Sequence, residues 1–176
     1  MSSNIFLSVG INDNSTTYGA VPVWFVAPFT SSNLPLVIIN TNGQTILDDP
    51  RIVADMGIIY NGIGNRNNLT DTSNNYDGQI SIELRGSSSL GFPKTSFSLE
   101  TQDSSGNNLN VSLLGLPKEN DWVLYAPYSD KSLIRNVLTY KLGNDLDWYA
   151  PRTVLCELIL NGQYWGVYVL TEKIKR

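Results

Sequence analysis

Strict alternation of apolar and polar residues in two neighbouring segments is the feature that most limits the fold of this chain. Residues 79–85 read QISIELR and residues 94–100 read KTSFSLE. Successive side chains of a β-strand point to opposite faces, so Ile80, Ile82 and Leu84 share one face and polar side chains share the other. The two segments therefore predict a β-hairpin with one buried face.

Other apolar runs and turn signals extend this β pattern. An Asn-Gly pair between two apolar runs is a strong hairpin signal, and Asn161-Gly162 stands between two such runs. Residues 61–78 are rich in Asn, Gly and Asp and predict a long loop. The further predicted strands are residues 34–39, 52–60, 122–125, 154–160 and 164–171.

A single segment has a sustained helical period. Ser129 or Asp130 can cap a helix within residues 130–147. The apolar residues that recur at helical spacing, and that we expect to form its buried stripe, are Leu133, Ile134, Val137, Leu138, Tyr140 and Leu142. The predicted fold class is therefore α+β, with a mainly antiparallel sheet and one helix packed on it.

Composition removes several classes of function. The chain of 176 residues has no His and a net charge of −4. Histidine-based catalysis and histidine-ligated metals are therefore excluded within it, and the charge argues against a nucleic-acid partner. Cys156, the one cysteine, lies in a strand-like apolar run and is predicted to be a buried core thiol.

The first 33 residues differ in character from the rest. No Lys or Arg precedes Arg51, so the basic region that opens a secretory signal peptide is not visible. No apolar run reaches the length of a membrane span. We interpret residues 1–33 as a leader or the edge of a neighbouring module, and residues 34–176 as one domain.

The loop between the two alternating strands is a candidate phosphate site. Ser87, Ser88 and Ser89 stand in a glycine-containing turn, with Arg85 at one end and Lys94 at the other. Hydroxyls and backbone N–H groups supply directed donors, and the two cations supply charge. The alternative is an ordinary polar hairpin loop with solvated charges.

Arg135 is a second candidate cation, predicted in the first turns of the helix. It lies beside the apolar stripe rather than opposite it, so its side chain can reach towards the sheet or a pocket. The alternative is an ordinary arginine on the helix surface or at the sheet edge.

Several motifs in a fixed order resemble the CotH kinase family, the family of spore coat protein H. The RGSSS at residues 85–89 and the FPKTSF at residues 92–97 are similar to its RGSSS…FPKKSY segment. The remaining matching segments are LGLP (114–117), DWVLYAPYSDK (121–131), RN (135–136), YAPRT (149–153), NGQYWGVY (161–168) and EKIKR (172–176). The resemblance covers about residues 34–176.

The resemblance implies a fold like the amino-terminal lobe of a protein kinase. Members of the family look like distant relatives of protein kinases that phosphorylate secreted or coat proteins, using ATP with Mg or Mn. By this resemblance, residues 85–94 lie near the nucleotide phosphates and Glu172 closes the lobe near the hinge. Thr95 stands where the family often has a second lysine, which weakens the site if that lysine binds phosphate.

Conventional kinases pair the phosphate-binding lysine with a glutamate on the helix of this lobe. Residues 131–146 contain no glutamate. We therefore expect Lys94 to pair with Glu83 across the hairpin or with Glu172, and Arg135 to face the pocket.

In kinases the catalytic aspartate and the metal ligands come from the following lobe, so no catalytic or metal-binding residue is assigned here. The expected function is an ATP-binding amino-terminal lobe without its carboxy-terminal partner lobe, inactive as this fragment. Its partners would be the nucleotide and a protein substrate that the sequence does not identify, in a secreted, cell-surface or spore-coat setting. The alternative is a non-catalytic surface or coat interaction module with the same fold.

Overall fold

The structure is a computed structural model that describes residues 28–174. Most of the segment interpreted as a leader or module edge, residues 1–27, lies outside the described residues, as do Lys175 and Arg176. Within residues 28–174, no helix combines the length and the apolar character that crossing a membrane requires.

Seven strands form a closed barrel in the order β2-β3-β5-β6-β7-β9-β8, and β8 returns to β2. All neighbours are antiparallel except β2 and β8, which pair in parallel with Leu36 opposite Glu157. The elements are β1 (Ser31–Ser32), β2 (Leu36–Asn40), β3 (Ile52–Ile59), β4 (Asn67–Asn68), β5 (Tyr76–Arg85), a 3₁₀ turn (Ser88–Gly91), β6 (Ser96–Gln102), β7 (Asp121–Tyr125), α1 (Arg135–Asp145), β8 (Thr153–Leu160) and β9 (Gln163–Glu172).

The predicted hairpin is confirmed by the pairing of β5 with β6, in which Ile82 lies opposite Leu99. The Asn161-Gly162 turn is confirmed between β8 and β9, and both residues have a positive φ, as this turn requires. The predicted loop at residues 61–78 contains the short strand β4 and the first residues of β5.

The predicted α+β class, a kinase-like lobe with a packed helix, is wrong. Alternation shows which face of a strand is apolar, but it does not show whether the sheet closes. Closure depends on the parallel β2–β8 pairing, which joins residues about 120 positions apart: the N–H groups of Glu157 and Asn161 donate to the Pro35 and Ile39 carbonyls at 2.8 and 2.9 Å. The single helix lies outside a barrel that buries its own core.

The helix is also shorter and more exposed than predicted. It spans Arg135–Asp145 rather than residues 130–147, and it has no buried residue. Leu133 has a φ of +64°, which a right-handed helix does not allow, so the helix begins after it. Leu138 and Leu142 of the expected buried stripe are 51% and 53% exposed.

Large apolar side chains fill the barrel interior. Trp122, Tyr168 and Phe97 are each at most 1% exposed, and the Phe97 and Tyr168 rings stack with centroids 6.2 Å apart. A smaller cluster of Leu36, Ile59 and Ile159 packs on the outside of the barrel, against Phe29 and Leu69 among others. The barrel therefore supplies a rigid scaffold whose outer face can carry a site.

The predicted burial of Cys156 is confirmed, since the residue is 0% exposed on β8 inside the barrel. Its Sγ lies 3.7 Å from the carbonyl oxygen of Tyr168. Burial raises the pKa of the Cys156 thiol to about 12, so the nucleophilic thiolate is scarce at neutral pH.

We expect Cys156 not to react with a thiol reagent such as dithionitrobenzoate at pH 8 while the protein is folded. In guanidinium chloride, one thiol per chain should react within minutes, because unfolding exposes it and restores an ordinary pKa. Labelling followed by absorbance measures both reactions. Rapid stoichiometric labelling of the folded protein would contradict the closed barrel.

Candidate functional site

A cleft of about 260 Å³ lies on the outer face of the barrel, beneath α1. It brings together Arg85 and Glu172, two of the predicted site residues that are far apart in the sequence. Arg85 is the last residue of β5 and Glu172 the last of β9, so the ends of two strands position them. The other lining residues are Val123, Tyr125, Asn136, Tyr140, Pro151, Val169, Thr171 and Ile174.

Arg85 is exposed and only weakly held. Its Nη1 lies 3.4 Å from Ser98 Oγ, at the long limit of a hydrogen bond. The register of β5 and β6 explains this contact, since Arg85 pairs with Ser96 and Ser98 is the next residue on the same outer face. Most of the guanidinium donors are therefore available to a ligand in the cleft.

Glu172, which also lines the cleft, is half-buried. Its Oε1 accepts a hydrogen bond from the backbone N–H of Arg152 at 3.3 Å and lies 3.5 Å from Arg152 Nη1. A carboxylate held in this way is an acceptor at a fixed position. Thus a cation and an anion both line the cleft.

Apolar and aromatic side chains make the floor between these charges. Val123 and Tyr125 come from β7 and Val169 from β9, which pair directly in the barrel. Burial, together with the negative charge of Asp130, raises the pKa of the Tyr125 hydroxyl. Tyr125 is therefore a neutral donor at physiological pH. The helix adds Asn136 and Tyr140 from above.

The serine loop is ordered but lies outside the residues that line this cleft. A 3₁₀ turn over Ser88–Gly91 follows Gly86, and the Phe92 N–H donates to the Ser89 carbonyl at 3.1 Å. Gly86 has a φ of +146°, which residues with a Cβ rarely adopt, so the backbone conformation favours glycine at this position. Within residues 28–174, the hydroxyls of Ser87, Ser88 and Ser89 have no hydrogen-bond partner.

An aromatic contact ties this loop to the segment that leads into α1. The rings of Phe92 and Tyr128 lie with centroids 5.1 Å apart and tilted by 31°, and the two residues are 40% and 48% exposed. The loop therefore presents three unpaired hydroxyls from a supported backbone.

Lys94 makes its contacts with residues of the barrel strand β9. Its Nζ donates to the Val167 carbonyl at 2.7 Å and lies 4.5 Å from the centroid of the Tyr168 ring. The last β7–β9 pair is Tyr125 with Val169, so the Val167 carbonyl lies beyond the end of β7. It accepts a hydrogen bond from Lys94 instead of from a β7 backbone N–H. Burial lowers the pKa of Lys94, and the nearby Glu157 charge opposes this.

The expected pairing of Lys94 with Glu83 or Glu172 is wrong. Glu83 Oε1 accepts a hydrogen bond from Arg51 Nη2 at 2.9 Å, and Glu172 faces Arg152. The alternation that predicted the hairpin concerns β5 and β6 alone. It does not show that Arg51, which leads into the neighbouring strand β3, supplies the cation for Glu83.

Arg135 is the first residue of α1, and its side chain is 78% exposed beside Asp130. Its Nε lies 3.4 Å from Asp130 Oδ1, and it is not among the residues lining the cleft. Of the predicted cations, only Arg85 reaches the cleft. Sequence reasoning missed Asn136 and Tyr140, although Asn136 is part of the matched RN motif.

Asp130 organises the start of the helix. Its carboxylate accepts hydrogen bonds from Ser132 Oγ at 2.6 Å, from the Ser132 N–H at 3.0 Å and from the Arg135 N–H at 2.8 Å. These donors, led by the Ser132 hydroxyl, lower the pKa of Asp130. Asp130 thus binds the first N–H of the helix as predicted for a cap, although Ile134 is the N-cap residue of the shortened helix.

The cleft combines a cationic donor with an apolar floor. Arginine binds phosphate oxygens through two parallel N–H donors, and the Val123–Val169 floor suits an apolar ring face. Within the described residues there is no cluster of three or more Cys, Asp or Glu side chains able to hold a metal ion.

Comparison with known proteins gives one family. The family model described as CotH kinase protein matches residues 82–176, from the second half of β5 to the last residue of the sequence. The match includes Arg85, the serine loop, Lys94, Arg135 and Glu172. A comparison with curated proteins finds no match. Because the family model matches more than half of the 176 residues, this chain belongs to the CotH kinase protein family.

Proposed function

We propose that this chain is a nucleotide-binding part of a CotH-type kinase, and that the cleft under α1 binds the phosphates of ATP through Arg85. The observation that carries the proposal is the meeting of Arg85 and Glu172 at one cleft inside the family-matched region. Strand ends place both side chains, and Arg85 keeps most of its donors unused.

The cleft divides into parts that suit different parts of a nucleotide. Arg85 would hold phosphate oxygens, and the floor of Val123 and Val169 would contact the base or the ribose. Glu172 would accept a hydrogen bond from an amino or hydroxyl group of the nucleotide. A volume of about 260 Å³ is smaller than most drug-sized ligand pockets, so part of the nucleotide would stay outside.

Ser87, Ser88 and Ser89 are proposed as a second set of donors for the exposed phosphates, since their hydroxyls have no partner in the described part of the chain. Lys94 and Arg135 belong to the proposed nucleotide-binding set only if they move. The first would have to leave the Val167 carbonyl and the second would have to leave Asp130.

The chain's own residues would bind and orient the nucleotide without transferring a phosphoryl group. Transfer depends on metal-assisted charge neutralisation and on a group that positions the attacking hydroxyl, and we assign neither to a described residue. With Mg or Mn bound to the nucleotide, we propose binding without turnover. The protein substrate, a secreted or coat protein, is proposed from the family alone.

Titration of the protein with ATP in the presence of Mg²⁺ tests this proposal. Arg85→Ala should weaken binding roughly 10- to 100-fold, because a charge-assisted hydrogen bond is worth about 1.5–3 kcal/mol. The dissociation constant of Arg85→Lys should lie between those of the wild-type protein and Arg85→Ala, since lysine keeps the charge but loses the paired donors. Isothermal titration calorimetry gives the dissociation constants.

Lys118→Ala is the matched control, because Lys118 is exposed and lies outside the cleft and the serine loop. It removes one positive charge and should leave the dissociation constant unchanged. Equal affinity of the Arg85→Ala protein and the wild-type protein would overturn the proposed site. Phosphate transfer from ATP by the wild-type chain would overturn the binding-without-turnover proposal.

A non-catalytic interaction module with the same fold is the second candidate. The observation that favours it is the exposed apolar surface around α1, where Trp148 and Tyr149 are 71% and 75% exposed. This candidate would be favoured if the chain did not bind ATP and if a protein partner bound tightly to that surface.

A further inference from the structure

The outer side of α1 carries a continuous apolar row. Ile134, Leu138, Leu142 and Leu146 recur every four residues and are 47%, 51%, 53% and 62% exposed. Residues four apart lie on the same side of a helix, so these side chains form one ridge about 18 Å long at 1.5 Å per residue. Ridges of this kind pack into the grooves between the equivalent ridges of another helix.

An apolar groove of about 570 Å³ continues the row. Leu142 and Leu146 form one wall, and the other includes Trp148, Tyr149 and Ile174, which are 71%, 75% and 56% exposed. With the row, these side chains expose on the order of 600 Å² of apolar surface, judged from the area that such side chains bury. Monomeric proteins rarely expose a larger apolar patch.

We infer that two copies of this chain associate through this surface, with their α1 helices crossing about a two-fold axis. In a two-fold contact the same patch is used by both copies, so a row of equally spaced apolar side chains is complementary to itself. Two patches of this size would bury about 1,200 Å² in total, which reaches the range of specific interfaces.

Each cation of α1 has a carboxylate beside it, since Arg135 Nε lies 3.4 Å from Asp130 Oδ1 and Lys141 is paired within the helix. Lys141 and Asp145 form an ion pair within the helix, with Nζ and Oδ2 2.6 Å apart. These pairings reduce the net charge beside the row, which lowers the repulsion between two copies. Tyr140, Pro151 and Ile174 line both the groove and the nucleotide cleft, so association would also cover one side of that cleft.

Sedimentation velocity of the full chain over about 1–100 µM tests the inference. We expect the wild-type protein to become dimeric in this range, as weak two-fold contacts of this size do. Leu142→Glu should shift the dissociation constant at least 10-fold upward, because it places two charges in an apolar interface. Ile63→Glu is the matched control, since Ile63 is 96% exposed and lines neither the groove nor the cleft. The dissociation constant of its dimer should be unchanged.

A single surface cysteine locates the contact. Because Cys156 is buried, Leu138→Cys or Leu142→Cys adds the only accessible thiol in residues 28–174. Oxidation should give a disulfide-linked dimer from at least one of the two variants, since a helix crossing brings its central residues within disulfide distance.

Three results would overturn the inference. The first is a monomer at every concentration. The second is a dimer that Leu142→Glu leaves intact. The third is a monomer in which the introduced thiol of the Leu142→Cys variant resists alkylation, which would show that another part of the same chain covers the row. Circular dichroism of each variant confirms that it is folded.

Discussion

Trp122→Ala is expected to lower the free energy of unfolding by about 3–5 kcal/mol, the usual cost of removing a buried tryptophan. Trp122 is 0% exposed in the middle of the barrel, on β7, where it pairs with Leu99 of β6 and Glu172 of β9. The closed barrel cannot collapse onto the cavity, because hydrogen-bonded strands surround it. Urea denaturation followed by far-UV circular dichroism measures the change.

Trp122→Phe is the matched variant. Within residues 28–174, the indole Nε1–H of Trp122 is buried without a hydrogen-bond partner, and such a group carries a desolvation cost of about 1–3 kcal/mol. Phenylalanine keeps most of the apolar volume and removes that donor. We expect Trp122→Phe to cost less than half as much as Trp122→Ala. Equal losses for the two variants would show that the indole donor is satisfied or that the site repacks.

Arg51→Met is expected to lower the free energy of unfolding by about 1–3 kcal/mol, below the cost of breaking a fully buried ion pair. Arg51 Nη2 lies 2.9 Å from Glu83 Oε1, and Nη1 lies 2.5 Å from Glu100 Oε1. The three side chains are only 20%, 23% and 24% exposed. The contact between Nη1 and Glu100 is close but not aligned as a hydrogen bond, and its attraction is mainly Coulombic. Removing Arg51 leaves two carboxylates on adjacent strands without their cation.

Glu83→Gln with Glu100→Gln in the Arg51→Met background is the control. It removes the uncompensated charges and should recover at least half of the lost stability. The free energies of the single, double and triple variants form a cycle that isolates the charge interaction. If the triple variant is no more stable than Arg51→Met, packing by the arginine stem rather than its charge accounts for the loss.

Two residues that line the candidate cleft could be selected from the sequence, but their contacts could not be predicted from it. The matched motifs identified Arg85 and Glu172 as site residues, and the structure places both at one cleft. The same motifs also selected Lys94, whose Nζ donates a hydrogen bond to the Val167 carbonyl. Strand β7 ends at Tyr125, opposite Val169, and therefore does not pair with Val167. A motif match selects a residue, but the contacts of that residue depend on where the neighbouring strands end.

Local sequence patterns were enough to predict individual strands and turns of this protein. Alternation located β5 and β6 and their apolar face, the Asn161-Gly162 pair located a hairpin, and the apolar surroundings of Cys156 showed that its thiol is buried. These features depend on neighbouring residues along the chain, so a short window of sequence contains the whole physical cause.

Which surfaces are covered depends on strand pairings that local patterns do not show. The parallel pairing of β2 with β8 closes the sheet into a barrel, and a closed barrel buries its core without help from a helix. The apolar row of α1 was therefore left exposed, with Leu142 at 53%, although its spacing is that of a buried stripe. Periodicity determines which side of a helix is apolar, and contacts between residues distant in the chain determine what, if anything, packs against that side.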